Sequence, residues 1–296
     1  MFPLLSSTVL ALLCATSSAI VVPRAAGAVQ LAVSPQCGPL AGSAPADVNV
    51  GLGPLSSYKT IVAFGDSFTG GSTNGPTWVQ ALVNSTGATL IQHAAPGAVV
   101  DVNQWPQVST VQSEASVDFI NQVETFMAYG HPIPDPATTL YIVFFGIGDY
   151  AQAVSAGTNM NQIAGVQVWT MLGLASATSF AQNILVVDNY GLGQTSPMGD
   201  AYKQYIFTAL GTSRRLGDFK NVGFASFNGI WEGILYGSPG AAAFGYTNTG
   251  VCVQNGQTCS DPAHTLYWTP GTPTAATHSI MADYVEQVLT QCKSST

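Results

Sequence analysis

A three-layer α/β/α sandwich around a parallel sheet is the fold class that this sequence predicts. From Tyr58 onward, short β-branched runs alternate with longer helical stretches, and most of the runs are followed within a few residues by Gly, Pro or Asn. The chain has 296 residues, 47% of them apolar, enough to bury one large core.

The strand candidates are residues 61–64, 89–92, 140–145, 184–187 and 222–225. They are short apolar runs and do not alternate, as expected of strands covered on both faces. Between them lie helical stretches. The one after Ser113 places Val117, Ile120, Val123 and Met127 on one side. The last places Ile280, Tyr284 and Val288 there, with Met281, Val285 and Leu289 beside them. Such alternation predicts a parallel sheet with helices on both faces and ligands at the carboxyl ends of the strands.

Residues 1–19 read as a signal peptide: an apolar stretch from Leu4 to Ala15, then small residues before Ala19. The stretch is too short to span a bilayer, which takes about 20 residues. Residues 20–57, rich in Ala, Gly, Pro and Ser, read as an N-terminal arm, and 58–296 as one folded domain. Removing the signal also removes Cys14 and leaves Cys37, Cys252, Cys259 and Cys292, an even set suited to an oxidising compartment. Three pairings are open. Cys252 with Cys259 closes a short loop, and Cys37 with Cys292 ties the chain ends together, so that pairing is favoured. Asn84, Ser85 and Thr86 form a glycan acceptor sequence, which fits a secreted, extracellular protein.

Only 7% of residues are charged and the net charge is -8, so nothing resembles a nucleic-acid-binding patch, and few cations are available for anionic membranes. No spacing suggests zinc or another metal, and no phosphate loop or dinucleotide fingerprint appears; no cofactor is expected. A monomer is expected.

The chemistry concentrates at Phe64, Gly65, Asp66, Ser67, Phe68 and Thr69, where a β run ends in Gly and a Ser falls at a strand-to-helix turn. Such a turn can expose the hydroxyl above the sheet beside backbone N–H groups able to hold an oxyanion; a Ser there can also simply cap a helix.

With Ser72, Asn74, Gly75, Pro76 and Trp78 downstream, Gly65, Asp66 and Ser67 resemble the first block of the GDSL or SGNH hydrolases, in the branch of fungal secreted carbohydrate esterases. Ala94, Gly97 and Ala98 resemble the second block, and Gly146, Ile147, Gly148 and Asp149 the third. Phe244 to Asn248, Cys252, Cys259, Asp261, Pro262 and Trp268 track the approach to the fifth. The resemblance runs from about residue 58 to 292 and implies an SGNH hydrolase fold acting on short acyl esters, such as acetylated saccharides. It implies Ser67 as nucleophile and the Ser67 N–H and Gly97 N–H as oxyanion donors.

Three positions depart from the pattern. Gly148 stands where the family has an oxyanion Asn, Thr269 where it has Asp, and Thr272 where it has the His base. Neither Thr accepts a proton near neutral pH. A Ser without its base is a poor nucleophile, so the expectation is an impaired or inactive hydrolase. An alternative register uses Asp261 and His264, spaced as the family pair is; His278 and His93 are further stand-ins, and a non-catalytic saccharide-binding role is a third possibility. Asp66 and Asp149 read as loop braces, and Asp188 and Asn189 as caps at the end of the fourth run. Trp78, Trp105, Trp231, Tyr246 and Trp268 could stack on sugar rings where exposed, although most large aromatics in so apolar a chain belong to the core.

Overall fold

The computed structural model describes residues 27–40, 48–105, 118–128, 134–176 and 181–293. The segment read as a signal peptide, with Cys14, lies outside the described residues, as does Val117. Strands β1 (Thr60–Gly65), β2 (Thr89–Gln92), β3 (Thr139–Phe144), β4 (Asn183–Asp188) and β5 (Asn221–Ser226) form one parallel sheet, ordered β2-β1-β3-β4-β5. That order is flavodoxin-like and reverses direction between β1 and β3, the switch point at which such sheets bind ligands.

Side chains alternate across the sheet. Ile61 and Ala63 enter one core with α2 (Trp78–Thr86), α7 (Asn228–Leu235), the short α8 (Ala241–Phe244) and the last helix, α9 (Ala275–Gln291). Val62 and Phe64 enter the other with α3 (Phe119–Ala128), α5 (Asn161–Ser176) and α6 (Pro197–Leu216). These are the expected three layers. The strand β2 is the exception to full burial, being an edge strand with exposed ends.

The arm is more than a surface strap. Val29, Val48, Leu52 and Leu55 are buried, and Val50 bridges antiparallel to Val222. Asn49, at φ 64°, accepts the Phe224 N–H at 2.8 Å through its Oδ1. This covers the outer edge of β5, which would otherwise present unpaired backbone groups. The Cys37–Cys292 disulfide then fixes the arm to the end of α9.

The last helix buries the six residues that its periodicity predicted. The helix α3 does not follow its predicted stripe. It buries Phe119, Gln122 and Phe126, whereas Met127 is 39% exposed. The Gln122 carboxamide accounts for the difference: its Oε1 accepts the Gly65 N–H at 2.9 Å and its Nε2 donates to the Gly65 carbonyl at 3.0 Å. A polar residue thus takes a core position because it satisfies the backbone at the end of β1. Replacing Gln122 with Leu removes both bonds inside the core and is expected to cost about 2–3 kcal/mol, read as a lower urea midpoint at unchanged m-value.

Before α9, a small sheet sets β9 (Thr265–Thr269) between β10 (Thr272–Pro273) and β6 (Asn248–Val251). The two-stranded ribbon of β7 (Val253–Gln254) and β8 (Gln257–Thr258) is closed by the Cys252–Cys259 disulfide. Both favoured cysteine pairs are therefore present.

Candidate active site

Ser67 is the first residue of the short helix α1 (Ser67–Gly70) at the carboxyl end of β1. It is not the cap. Asp66 holds that place, accepting the Phe68 N–H at 2.9 Å, so the hydroxyl of half-buried Ser67 is not used as the cap. Ser67 makes no side-chain hydrogen bond among the described residues.

The loop after β2 is locked beside it. His93 and Ala95 donate from their backbone N–H groups to the Ala63 and Gly65 carbonyls at 2.9 and 3.0 Å. The helix α1 then packs backbone to backbone on this loop: a Cβ on Gly70 would lie 2.2 Å from the Ala94 carbonyl oxygen. Ala98 N–H closes a turn on Ala95 at 3.2 Å, with Gly97 inside it at φ 78°. In such a turn the Gly97 N–H is not consumed.

The third block opens α4 (Ile147–Ala156). Asp149 is fully buried and accepts the Val100 N–H at 3.1 Å and the Trp105 indole N–H at 2.9 Å, so it braces the Gly97 loop. Asp66 and Asp149 both act as braces. Gly148 has an ordinary backbone, but a Cβ there would sit 3.1 Å from Val99 Cγ1. An Asn at this position therefore requires Val99 to give way.

Thr269 and Thr272 face each other across the tight β9–β10 turn, both half-buried. The loop after α1 is bound to the same segment, Thr73 donating to the Pro273 carbonyl at 2.8 Å and Asn74 accepting the Ala275 N–H at 2.7 Å. The two Thr residues are thus carried on a hairpin docked against the Ser67 loop.

None of the candidate histidines His264, His278 and His93 shows a hydrogen bond to Ser67 among the described residues. His264 Nδ1 bonds the Asp261 carboxylate at 2.8 Å, and its Nε2 bonds the Gly27 carbonyl. The Gly27 and Asp261 bonds both raise the pKa of this imidazole. The pair clasps the arm, and neither ring nitrogen bonds Ser67. His278 is fully buried on α9, where burial pulls its pKa down to about 3 and keeps it neutral. His93 stacks on Phe64 with ring centroids 5.6 Å apart.

Asp188 accepts the Tyr190 N–H at 3.3 Å, as a cap does, and Asn189 beside it is buried. Trp78, Trp105, Trp231 and Tyr246 are core residues, and only Trp268 is half-exposed. Among the described residues Trp169, Tyr205 and Tyr236 are exposed aromatics, which no motif marks in the sequence. Among the described residues no group of His, Cys, Asp and Glu could hold a metal ion.

Fold and site together define a flavodoxin-like α/β sandwich with a half-buried serine at the switch point of its sheet. No protein-family model matches the sequence, and no curated protein matches it. Solved structures do. The chain is similar to a member of the lipolytic G-D-S-L family from Veillonella parvula, at 16% identity over 78% of this chain and 98% of that one, with a TM-score of 0.45. It is also similar to an acetylxylan esterase from Geobacillus stearothermophilus, at 14% identity over 80% and 97%, TM-score 0.44. A third is an extracellular lipase from Streptomyces rimosus, at 15% identity over 78% and 99%, TM-score 0.35.

Proposed function

We propose that this chain is a secreted protein of the GDSL/SGNH carboxylic-ester hydrolase type that holds a short acyl ester, of an acetylated saccharide, at Ser67 and turns it over weakly or not at all. The single observation that carries this reading is half-buried Ser67 at a helix start after the first strand, its hydroxyl without a side-chain hydrogen bond to a described residue.

An ester carbonyl placed over Ser67 would direct its oxygen to the Ser67 and Gly97 N–H groups. Attack by the hydroxyl then releases a proton that needs an acceptor, and Thr272 offers none. The tetrahedral oxyanion would also lack the third donor, because Gly148 has no side chain. Losing one donor of this kind costs about a hundred- to a thousand-fold in turnover, and losing relay members leaves about a thousand- to ten-thousand-fold over water.

Two disulfides support an extracellular location, as do the residues 1–19 read as a signal peptide and the exposed Asn84 sequon on α2. Among the described residues no helix is long and apolar enough to cross a membrane. An active enzyme using Asp261 and His264 is disfavoured by the clasp on Gly27. The second reading, non-catalytic binding of an acylated saccharide, is favoured by the same missing base.

The test is hydrolysis of p-nitrophenyl acetate and of acetylated xylan by the wild-type chain and by Ser67→Ala. The expected kcat/KM of the wild type is within about ten-fold of the variant. A difference of a thousand-fold or more would mean that a base has been overlooked.

A further inference from the structure

The helices α3, α5 and α6 cover one face of the sheet, and they carry four of the six exposed large hydrophobic residues found among the described residues: Met127, Trp169, Tyr205 and Leu216. Trp169 is 70% exposed and Leu216 75%. Apolar surface gathered in this way marks a contact face. We propose that this face docks a second copy of the chain, in a two-fold dimer built on α5 and α6.

The face differs from an ordinary solvent face, on which a surface helix turns charged residues to the water. The sixteen residues of α5 include no charged one, and its outer row runs through Gln162, Gly165, Trp169 and Gly173. On α6, Tyr205, Ala209, Thr212 and Leu216 follow one another at helical spacing, and Lys203 is turned inward, 2% exposed. The two rows form one patch: a Cβ on Gly165, one turn before Trp169, would lie 3.8 Å from the Tyr205 hydroxyl. A shallow groove of about 600 Å³ follows α6 beside them, with Gln204 and Thr208 in its walls.

Charge points to a second copy as the occupant. Each copy carries a net charge of -8, so two copies meet at least cost through a face that sets no acid against acid. Solvent-reachable charge on α6 is confined to its ends, with Asp200 in the first turn and Arg214 and Arg215 in the last. Antiparallel packing of α6 on its counterpart across a two-fold axis lays the basic end of each helix over the acidic end of the other, and the helix dipoles oppose. Both α5 and α6 return between parallel strands on the same side of the sheet, so they run in the same direction. The same axis therefore sets α5 on α5, with Trp169 near the middle of the contact, where tryptophan contributes most. The area is sufficient. Helices of 16 and 20 residues are about 24 and 30 Å long, and at a spacing of about 9 Å they present about 500 Å² per copy, or about 1,000 Å² in all. That total stands at the lower bound of specific interfaces and predicts a reversible dimer of micromolar affinity, in place of the monomer expected from the sequence.

This inference does not rest on the Ser67 reading, because the face lies on the outside of a helical layer and leaves both carboxyl edges open. Sedimentation velocity of the purified chain between about 1 and about 100 µM tests it. The weight-average mass is expected to approach twice the monomer mass at the upper end. Trp169→Glu and Tyr205→Glu are each expected to weaken association by about thirty-fold or more. Tyr236→Glu, at an exposed aromatic outside this layer, is expected to leave association unchanged. An unchanged thermal midpoint of Trp169→Glu at the lowest concentration separates lost docking from lost fold. The proposal is overturned if the wild type stays monomeric at the upper concentration, or if Trp169→Glu associates as well as the wild type. It is overturned equally if a monomeric wild type co-sediments with phosphatidylcholine vesicles and Trp169→Glu does not, which would make the face a lipid-binding one.

Discussion

The thermal midpoint is expected to rise by on the order of 5–10 °C between pH 7 and pH 5, opposite to the behaviour of a protein held by ionised carboxylates. Asp66, Asp149 and Asp188 end or follow neighbouring strands at the carboxyl edge of the sheet, all buried. Burial pushes Asp66 up to about 7, and Asp149 and Asp188 each to about 6, against hydrogen bonds that favour the charged form. An unfolded aspartate titrates near pH 4. The folded state therefore binds protons that the unfolded state has already lost, and stability present below about pH 4 drains away as pH rises through 6 and 7.

His278 works against this. Its depressed pKa means that stability present above about pH 6.5 is lost as pH falls, because only the unfolded chain takes up that proton. Three carboxyls against one imidazole still leave a net uptake of about one proton near pH 6 on folding. At about 1.4 kcal/mol per proton per pH unit, this gives about 3 kcal/mol between pH 7 and 5. Unfolding followed by circular dichroism at pH 8, 7, 6 and 5 reads it directly. A flat or falling midpoint would mean that these carboxyls are ionised in the folded state.

The second large effect concerns the chemistry. Thr269→Asp together with Thr272→His is expected to raise kcat/KM on p-nitrophenyl acetate by about a hundred- to ten-thousand-fold, because it returns a proton acceptor and its orienting partner to a hairpin already docked on the Ser67 loop. Adding Gly148→Asn alone is expected to give little, since its Cβ presses on Val99 at 3.1 Å. Adding it with Val99→Ala is expected to restore a further hundred-fold or more. Ser67→Ala in this background should abolish the gain. Gain without dependence on Ser67 would place the new activity elsewhere.

Much of the framework is legible in the order of the residues. Buried parallel strands leave uninterrupted apolar runs, so all five strands of the main sheet can be read, and the last helix shows a clean 3.6-residue period. The position of Ser67 follows from the Gly65-Asp66-Ser67 turn at the end of such a run. What stays hidden is set by tertiary contacts that leave no periodic trace. Gln122 lies outside the apolar stripe read for its helix and is a core brace, because its carboxamide satisfies the Gly65 backbone. His278 reads as a candidate base near the site, yet its side of α9 faces inward and burial keeps the ring neutral. The arm reads as surface chain, but the sheet's outer edge needs a cover and Asn49 supplies it.

The absent base can be probed without choosing a substrate. An alkyl fluorophosphonate reacts with serines whose hydroxyl is deprotonated by a neighbour and whose oxyanion is stabilised. Intact-mass measurement after prolonged incubation of the wild-type chain with such a reagent at pH 7.5 is expected to show no adduct, and the Thr269→Asp/Thr272→His variant to show one. A stoichiometric adduct on Ser67 of the wild type, absent from Ser67→Ala, would contradict a nucleophile left without its base.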